Sequence, residues 1–328
     1  MGELRWNPLL RTWVMVAPNR QERPNMPKDW CPFCPGSGKV PDHYDVLKYD
    51  NDFPVLKLKP DEPEVPSDDF YRVMKNYGKC EVILYSSDHN AKLWQLSVEH
   101  IIKLVNLWIE RNNELSKDEN IKYVFPFENR GEEVGVTIIH PHGQLYVYPF
   151  VPLKLKVELD SCKEYYMEHN ECMICHMNAE EKAFKKRVVF ENESFIAYLP
   201  FFTDYPYGVF IVSKRHFGNL ADFTEPEKRD LAKMLKTITG AFDLLFDRPF
   251  PYMMVIHQTP VNTEEYKESD KYFHFHIEFY PPLRDKDKIK WYASSEMGAW
   301  ACANPLSVEE TAPKLREAIE KFLKNEPE

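Results

Sequence analysis

The sequence lacks any run of about 18 apolar residues, so no segment has the length that a membrane-spanning helix requires. Positive charge is also in deficit, because 42 Lys and Arg stand against 52 Asp and Glu, for a formal net charge of −10. The start of the chain has no secretory signal pattern, and Trp6 stands where a myristoylation signal has Ser or Thr. We therefore expect a cytoplasmic protein that binds neither a membrane nor the phosphate backbone of nucleic acid.

Glycine is scarce too, with 11 residues against 26 prolines, which indicates short, stiff loops. The 328 residues are 43% hydrophobic and 14% aromatic, which excludes a disordered chain and is enough for two domains with cores. Four of the seven cysteines form two C-x-x-C pairs, Cys31/Cys34 and Cys172/Cys175. In a cytoplasmic protein such pairs bind metal or carry out redox chemistry.

The stretch from Val134 to Tyr148 is rich in β-branched and aromatic residues and has His-Pro-His-Gly-Gln at its centre. We predict a strand over this whole stretch. A period of two then places His140, His142 and Gln144 on one face. The alternative is that the histidines only hydrogen-bond to each other in a polar core. Two histidines and a glutamine on one face favour a reactive site instead.

The second half of the chain repeats the order of the first. Each half has a C-x-x-C pair, a Ser-x-x-His loop, a capped helix and a His-x-His segment, the second of which is the predicted strand Tyr272–Tyr280. The sequence therefore predicts an α+β fold of two tandem domains, residues 1–160 and 161–328, joined near Leu153 to Asn170. Each domain is expected to be an antiparallel sheet with packed helices.

Zinc prefers four tetrahedral ligands from thiolate and imidazole, and structural sites often combine a C-x-x-C pair with distant histidines. The duplicated order predicts two such sets. The first is Cys31, Cys34, His89 and His140, and the second is Cys172, Cys175, His216 and His274. We expect zinc in the first site and zinc or iron in the second. Two alternatives stay open: cysteine pairs that bind nothing, and His176 as a competing ligand.

The central motif is preceded by Phe127-Glu128-Asn129-Arg130-Gly131 and by Gly135. In this combination the chain resembles the galactose-1-phosphate uridylyltransferase family, the nucleotidyl-transfer branch of the histidine-triad superfamily, and the resemblance covers almost the whole chain. It implies that both domains are histidine-triad-like and agrees with all four ligands of the first metal set.

The resemblance implies a ping-pong reaction in which His142 takes a uridylyl group from UDP-glucose and passes it to galactose-1-phosphate. An imidazole can attack phosphorus at neutral pH and leaves readily from the phosphoramidate. Gln144 is expected to donate to the α-phosphate; histidine-triad hydrolases have a third histidine there.

Further residues match binding positions of the family. The resemblance assigns the phosphates to Arg20, Arg23, Asn129 and Thr137, the nucleoside to Asn51 and Asp52, and the hexose to Lys290 and Glu296. Because the hexose segment often comes from the partner subunit, a homodimer is expected. Ser295 stands where the well-known members have tyrosine, and the glutamine that follows in them is missing, so the identity of the sugar stays open.

The well-known members hold a second metal at positions that fall on Glu158, His257 and His276 here, with Glu278 in place of their last histidine. We favour the cysteine-containing set over this one. Three rival functions also stay open: an ADP-sugar phosphorylase or adenylyltransferase of the same superfamily, a histidine-triad hydrolase, and a zinc-knuckle nucleic-acid binder. Gln144 argues against the hydrolase, and the acidic balance argues against the nucleic-acid binder.

Overall fold

The computed structural model describes residues 2–22 and 30–326. Fourteen strands lie in this part of the chain: β1 Glu3–Asn7, β2 Thr12–Val16, β3 Leu47–Asp50, β4 Val73–Lys75, β5 Lys79–Leu84, β6 Tyr123–Arg130, β7 His142–Tyr148, β8 Val188–Glu191, β9 Phe195–Tyr198, β10 Val209–Ser213, β11 Tyr252–His257, β12 His276–Tyr280, β13 Leu283–Asp285 and β14 Lys288–Ile289. Six α-helices accompany them: α1 Val98–Leu115, α2 Leu153–His169, α3 Met173–Phe184, α4 Glu225–Leu245, α5 Ser294–Ala299 and α6 Val308–Asn325.

The two halves of the chain form one continuous antiparallel sheet of nine strands. Its order is β3-β5-β7-β6-β11-β12-β10-β9-β8, so the first half supplies four strands and the second half five. The halves meet where β6 pairs with β11, with Phe127 opposite Val255. The mixed α+β architecture with antiparallel pairing agrees with the prediction. The boundary expected after residue 160 falls inside α2.

Both histidine-bearing strands are shorter than predicted, and these two predictions were wrong. β7 begins at His142 instead of Val134, and β12 begins at His276 instead of Tyr272. Gly135 has a φ of 82°, in the left-handed region that interrupts a strand. Pro141 has no N–H to donate to a neighbouring strand. The residues before β7 therefore form a loop, and this loop carries His140.

Helices α1 and α4 pack together against one face of the sheet, and α6 packs on α4. The capped helix that the sequence predicts in each half is present. Ser97 Oγ accepts a hydrogen bond from the backbone N of His100 at 3.1 Å, and Glu227 Oε2 accepts one from the backbone N of Thr224 at 2.8 Å. Within the described residues, none of the helices combines the length and apolar character needed to cross a membrane.

A buried ion pair also joins the two halves. The guanidinium of Arg130, at the end of β6, donates to both carboxylate oxygens of Asp243 in α4, at 2.7 and 2.9 Å. Asp243 Oδ1 also accepts from the backbone N of Phe250 at 2.9 Å, so the same carboxylate orders the turn into β11. This pair fixes the end of the sheet near His142.

Candidate active site

His142 is the first residue of β7, and the backbone carbonyl of His140, two residues earlier, orients its ring. Nδ1 lies 2.7 Å from the carbonyl oxygen of His140. A ring nitrogen at this distance donates its proton, which assigns the tautomer with the lone pair on Nε2. A neutral imidazole with a fixed donor and a lone pair on the other nitrogen has the form that a nucleophile requires.

The first cysteine-containing cluster lies directly behind this histidine. Cys34 Sγ is 3.3 Å from His89 Nδ1 and 3.6 Å from His140 Nδ1, and Cys31 Sγ is 3.7 Å from the same nitrogen. Tetrahedral zinc with standard bond lengths separates sulfur and nitrogen ligands by about 3.6 Å. The four donors therefore fit a tetrahedral metal ion, and the structure brings the predicted set together.

The second nitrogen of His140 is also engaged. Nε2 lies 2.7 Å from the carbonyl oxygen of Ser86, and the hydroxyl of Tyr44 approaches it at 3.0 Å. Burial lowers the pKa of His140 to about 4, so the ring is neutral at pH 7. A neutral ring with Nε2–H donating to a carbonyl presents Nδ1 to a metal, which is the usual arrangement of a histidine ligand.

The second cysteine-containing cluster has the same design. Cys175 Sγ lies 3.3 Å from His274 Nδ1 and 3.5 Å from His216 Nδ1, and Cys172 completes the set. His274 Nε2 lies 2.9 Å from the carbonyl oxygen of Ser213, as His140 does from Ser86. Cys172 is the residue before α3, so this pair sits on a helix start.

His176, the competing ligand considered from sequence, points away from the second cluster. Its Nδ1 lies 3.1 Å from Glu171 Oε2 on the surface. The structure therefore brings together the predicted set of two cysteines and two histidines without His176.

A third cluster contains Glu158, His257, His276 and Glu278, and one ligating atom of each lies within 4.8 Å of the others. His257 Nδ1 is 2.8 Å from Glu158 Oε2, and His276 Nε2 is 3.3 Å from Glu278 Oε1. Two imidazoles and two carboxylates have donor chemistry that suits a divalent metal. The sequence offers this set and the cysteine-containing one as alternatives, and the structure contains both as separate clusters.

A cavity of about 440 Å³ opens on the active face of β7 and brings five predicted site residues together. It is lined by Arg20, Asn51, Asp52, His142 and Gln144, with the aromatic rings of Trp30, Phe33, Tyr49 and Phe53. Tyr49 Oη donates to Asp52 at 3.0 Å. An aromatic cavity with a few fixed polar groups is typical of a site for a nucleoside-sized ligand.

A larger cavity of about 800 Å³ lies on the other side of His142. Asn129 lines it, together with the loop 131–133 and residues 248–251. Thr137 is exposed and lines neither cavity, although its neighbours Val136 and Ile138 line the larger one. His142 borders both cavities, so a ligand in either one can reach its ring.

Lys290 and Glu296 line neither of these cavities. Lys290 is only 8% exposed. Its ammonium donates to the carbonyl oxygen of Asp204 and lies beside the stacked rings of Tyr205 and Tyr292, at 5.0 and 4.8 Å from their centres. Glu296 is half-buried, and its carboxylate accepts from the backbone N of Ala293 at 3.1 Å. Arg23 lies outside the described residues.

Sequence reasoning missed several groups at these sites. Tyr44 supports His140, Lys39 lies 3.8 Å from Asp52, and Lys154 contacts the third cluster. No motif identifies Tyr44 or Lys39. Lys154 stands four residues before Glu158 in α2, and the helical spacing of the two could have indicated their contact.

Comparison with known proteins identifies close relatives of this arrangement. The family model "Galactose-1-phosphate uridyl transferase, N-terminal domain" matches residues 1–152, and the corresponding C-terminal domain matches residues 158–299. The galactose-1-phosphate uridylyltransferase of Thermotoga maritima is 43% identical over 97% of this chain and 98% of its own. That of Saccharomyces cerevisiae is 32% identical over 95% and 93%.

Solved structures show the same fold. A uridylyltransferase superposes with a TM-score of 0.89 at 33% identity, covering 98% of this chain and 99% of its own. An ADP-glucose phosphorylase from Arabidopsis thaliana superposes with a TM-score of 0.73 over 97% and 99%. Its identity is 24%, so this second likeness concerns the fold alone.

Proposed function

Because the chain belongs to the galactose-1-phosphate uridylyltransferase family, we propose that it exchanges a uridylyl group between UDP-glucose and galactose-1-phosphate through a covalent intermediate on His142. The observation that carries this proposal is the 2.7 Å contact from His142 Nδ1 to the carbonyl oxygen of His140, at the border of both cavities. This contact leaves Nε2 as the nucleophilic nitrogen.

In the first half-reaction, His142 Nε2 attacks the α-phosphorus of UDP-glucose. The bond from this phosphorus to the bridging oxygen breaks, and glucose-1-phosphate leaves with the electron pair. The ring then carries a positive charge, which the carbonyl of His140 stabilises through Nδ1–H. In the second half-reaction a phosphate oxygen of galactose-1-phosphate attacks the same phosphorus, the P–N bond breaks, and UDP-galactose forms.

Gln144 follows His142 on the same face of β7 and lines the same cavity. Its side-chain amide is neutral and donates to the non-bridging oxygens of the α-phosphate as charge develops there. An amide cannot serve as the general base for a water molecule, which favours transfer to a second substrate over hydrolysis.

The binding groups divide between the two cavities. We assign the nucleoside to the aromatic cavity, with Asp52 accepting from ribose hydroxyls beside Asn51. We assign the phosphates to Arg20, Arg23, Asn129 and Thr137. Arg20 lines the nucleoside cavity and Asn129 lines the larger one, and both cavities border His142, which supports placing the phosphates beside this histidine.

The hexose is assigned to the segment that carries Lys290 and Glu296, supplied by a second copy of the chain in a homodimer. Neither Lys290 nor Glu296 lines a cavity beside His142 in the same chain, which supports the assignment. Exposed apolar side chains on the segment, Trp291 and Met297, give it a surface suited to contact with a partner.

Metal ions at the two cysteine-containing clusters are part of the proposal, with zinc in the first and zinc or iron in the second. Cys31, Cys34, His89 and His140 would hold the first ion, and Cys172, Cys175, His216 and His274 the second. A structural ion stabilises the fold of its loops. The first cluster fixes His140, and the carbonyl of His140 in turn orients His142.

The seven cysteines form no disulfide in the described residues, which supports a cytoplasmic location.

A base-exchange experiment separates this function from the adenylyl alternative. The protein is incubated with UDP-glucose or with ADP-glucose, without an acceptor, and the intact protein mass is measured. We expect the mass of one uridylyl group from the first and no adduct from the second. An adenylyl adduct formed in preference would assign the chain to ADP-sugar chemistry.

A further inference from the structure

Lys154 lies against the third cluster, with its ammonium in contact with two of the cluster's carboxylates. Its Nζ is 2.7 Å from Glu278 Oε2 and 3.6 Å from Glu158 Oε1. It also donates to the hydroxyl of Tyr280 and lies 4.7 Å from the centre of that ring. One unit of positive charge is therefore already placed at the cluster's outer edge.

The cluster behind Lys154 is deeply buried. The side chains of His257, His276 and Glu278 are 2–3% exposed, and Glu158 is 24% exposed. A carboxylate pair buried to this extent needs positive charge nearby, because uncompensated charge is costly inside a protein. Lys154 supplies part of that positive charge. A divalent metal bound to the same carboxylates would be an alternative source of it.

The ammonium of Lys154 and a divalent metal would repel each other if both were bound to these carboxylates. A metal ion ligated by Glu158 and Glu278 would lie close to an ammonium that contacts both carboxylates, and like charges at such separations repel strongly in a buried site. Lys154 can leave, because 58% of its side chain is exposed on the solvent side of α2. Displacing it removes its ion pair with Glu278, and this loss lowers the net affinity for metal.

We propose that Lys154 is an internal cation that competes with divalent metal for the cluster of Glu158, His257, His276 and Glu278. The cysteine-containing clusters have no lysine contact of this kind among the described residues. The three clusters therefore differ in how readily they bind metal, and the third is the weakest in the natural chain. Replacing Lys154 by a neutral side chain strengthens metal binding at that cluster alone.

Cobalt(II) distinguishes the clusters by spectroscopy. Cobalt bound to thiolate gives intense near-ultraviolet charge-transfer absorption, whereas cobalt bound to imidazole and carboxylate gives only weak visible bands. The metal-depleted full-length protein is titrated with Co²⁺, and ions that bind after the thiolate absorption has saturated are followed by their visible bands and by equilibrium dialysis.

We expect Lys154→Met to bind this additional ion at least about tenfold more tightly than the natural chain, which is about 1.4 kcal/mol. Lys154→Arg, which keeps the charge, should bind it as weakly as the natural chain. Lys156→Met is the matched control, because Lys156 lies on the same helix and pairs with Glu265 at 2.7 Å, away from the cluster. It should leave the titration unchanged.

The double variant Lys154→Met/Glu278→Gln locates the ion, because it should lose the strengthened binding if the ion lies in this cluster. Thermal unfolding of each variant shows whether it is folded before titration. Equal affinity for the additional ion in the natural chain and in Lys154→Met would overturn the proposal. So would a folded Lys154→Met that takes up no such ion at millimolar Co²⁺.

Discussion

A β-carbon added at Gly143 would collide with Tyr85, and this contact predicts a specific pattern of stability. Gly143 lies between His142 and Gln144, so a side chain at this position would point to the opposite face of the sheet from theirs. An ideal Cβ at this position would be 2.3 Å from Tyr85 Oη, 3.1 Å from Tyr85 Cζ and 3.0 Å from the carbonyl oxygen of Phe127. Tyr85 is 1% exposed, so its ring has little room to move away.

Gly143→Ala should therefore destabilise the protein by about 1–3 kcal/mol, the usual cost of forcing extra atoms into a packed core. Tyr85→Phe removes the oxygen that makes the closest contact. That oxygen interacts with the carboxyl of Glu128, but within the described residues it has no partner at full hydrogen-bond geometry, so we expect its loss alone to cost little. In the double variant the contacts at 3.1 and 3.0 Å remain, and we expect relief of about half the cost.

Urea unfolding of the metal-loaded natural chain, both single variants and the double variant measures this coupling. Uridylylation rates of the same proteins show whether a shift of β7 also displaces His142, in which case Gly143→Ala slows the first half-reaction and the double variant partly recovers it. A loss below about 0.5 kcal/mol in Gly143→Ala would mean that the site relaxes freely. Additive single effects would show that Tyr85 is not the residue that the new methyl group meets.

Three further predictions concern the metal sites, the phosphate contact and the joint between the halves. Cys172→Ser combined with Cys175→Ser should lower the metal content of the purified protein from two ions per chain to one and reduce its thermal stability, as elemental analysis and calorimetry would show. Gln144→Glu should strongly depress turnover without changing the metal content, and Gln144→His should shift the reaction from transfer toward slow hydrolysis of the nucleotide sugar. Unchanged rates in the Glu variant would show that Gln144 does not contact the α-phosphate. Arg130→Met should cost about 1–3 kcal/mol in urea unfolding, because the buried Asp243 carboxylate loses both bonds to Arg130 and keeps Lys92, at 3.4 Å, as its remaining cation. A cost below about 0.5 kcal/mol would contradict that account.

Much of the site follows from short-range patterns. The spacing of His142 and Gln144 places both side chains on one strand face, and the capping residues Ser97 and Thr224 locate the starts of two helices. The two cysteine-containing sets follow from the duplicated order of motifs. These features depend on neighbours along the chain or on the repeat, so one sequence is enough to predict them.

Other features depend on long-range packing. The predicted strand over Val134–Tyr148 ignores that His140 must turn its ring toward two cysteines more than a hundred residues away in sequence, which requires a loop. The junction of the halves through β6 and β11 gives no periodic signal. The burial of Lys290 beside two tyrosine rings and the contact of Lys154 with Glu278 likewise appear only when distant parts of the chain are brought together.

The central claim is that His142 carries the nucleotide, and intact-protein mass spectrometry tests it most directly. The natural chain and His142→Ala are each incubated with UDP-glucose without an acceptor, with metal content and thermal unfolding measured to show that the variant is folded. We predict that the natural chain gains the mass of one uridylyl group, which galactose-1-phosphate then removes, and that His142→Ala gains none and loses several orders of magnitude in turnover. A uridylyl adduct on folded His142→Ala would contradict the account.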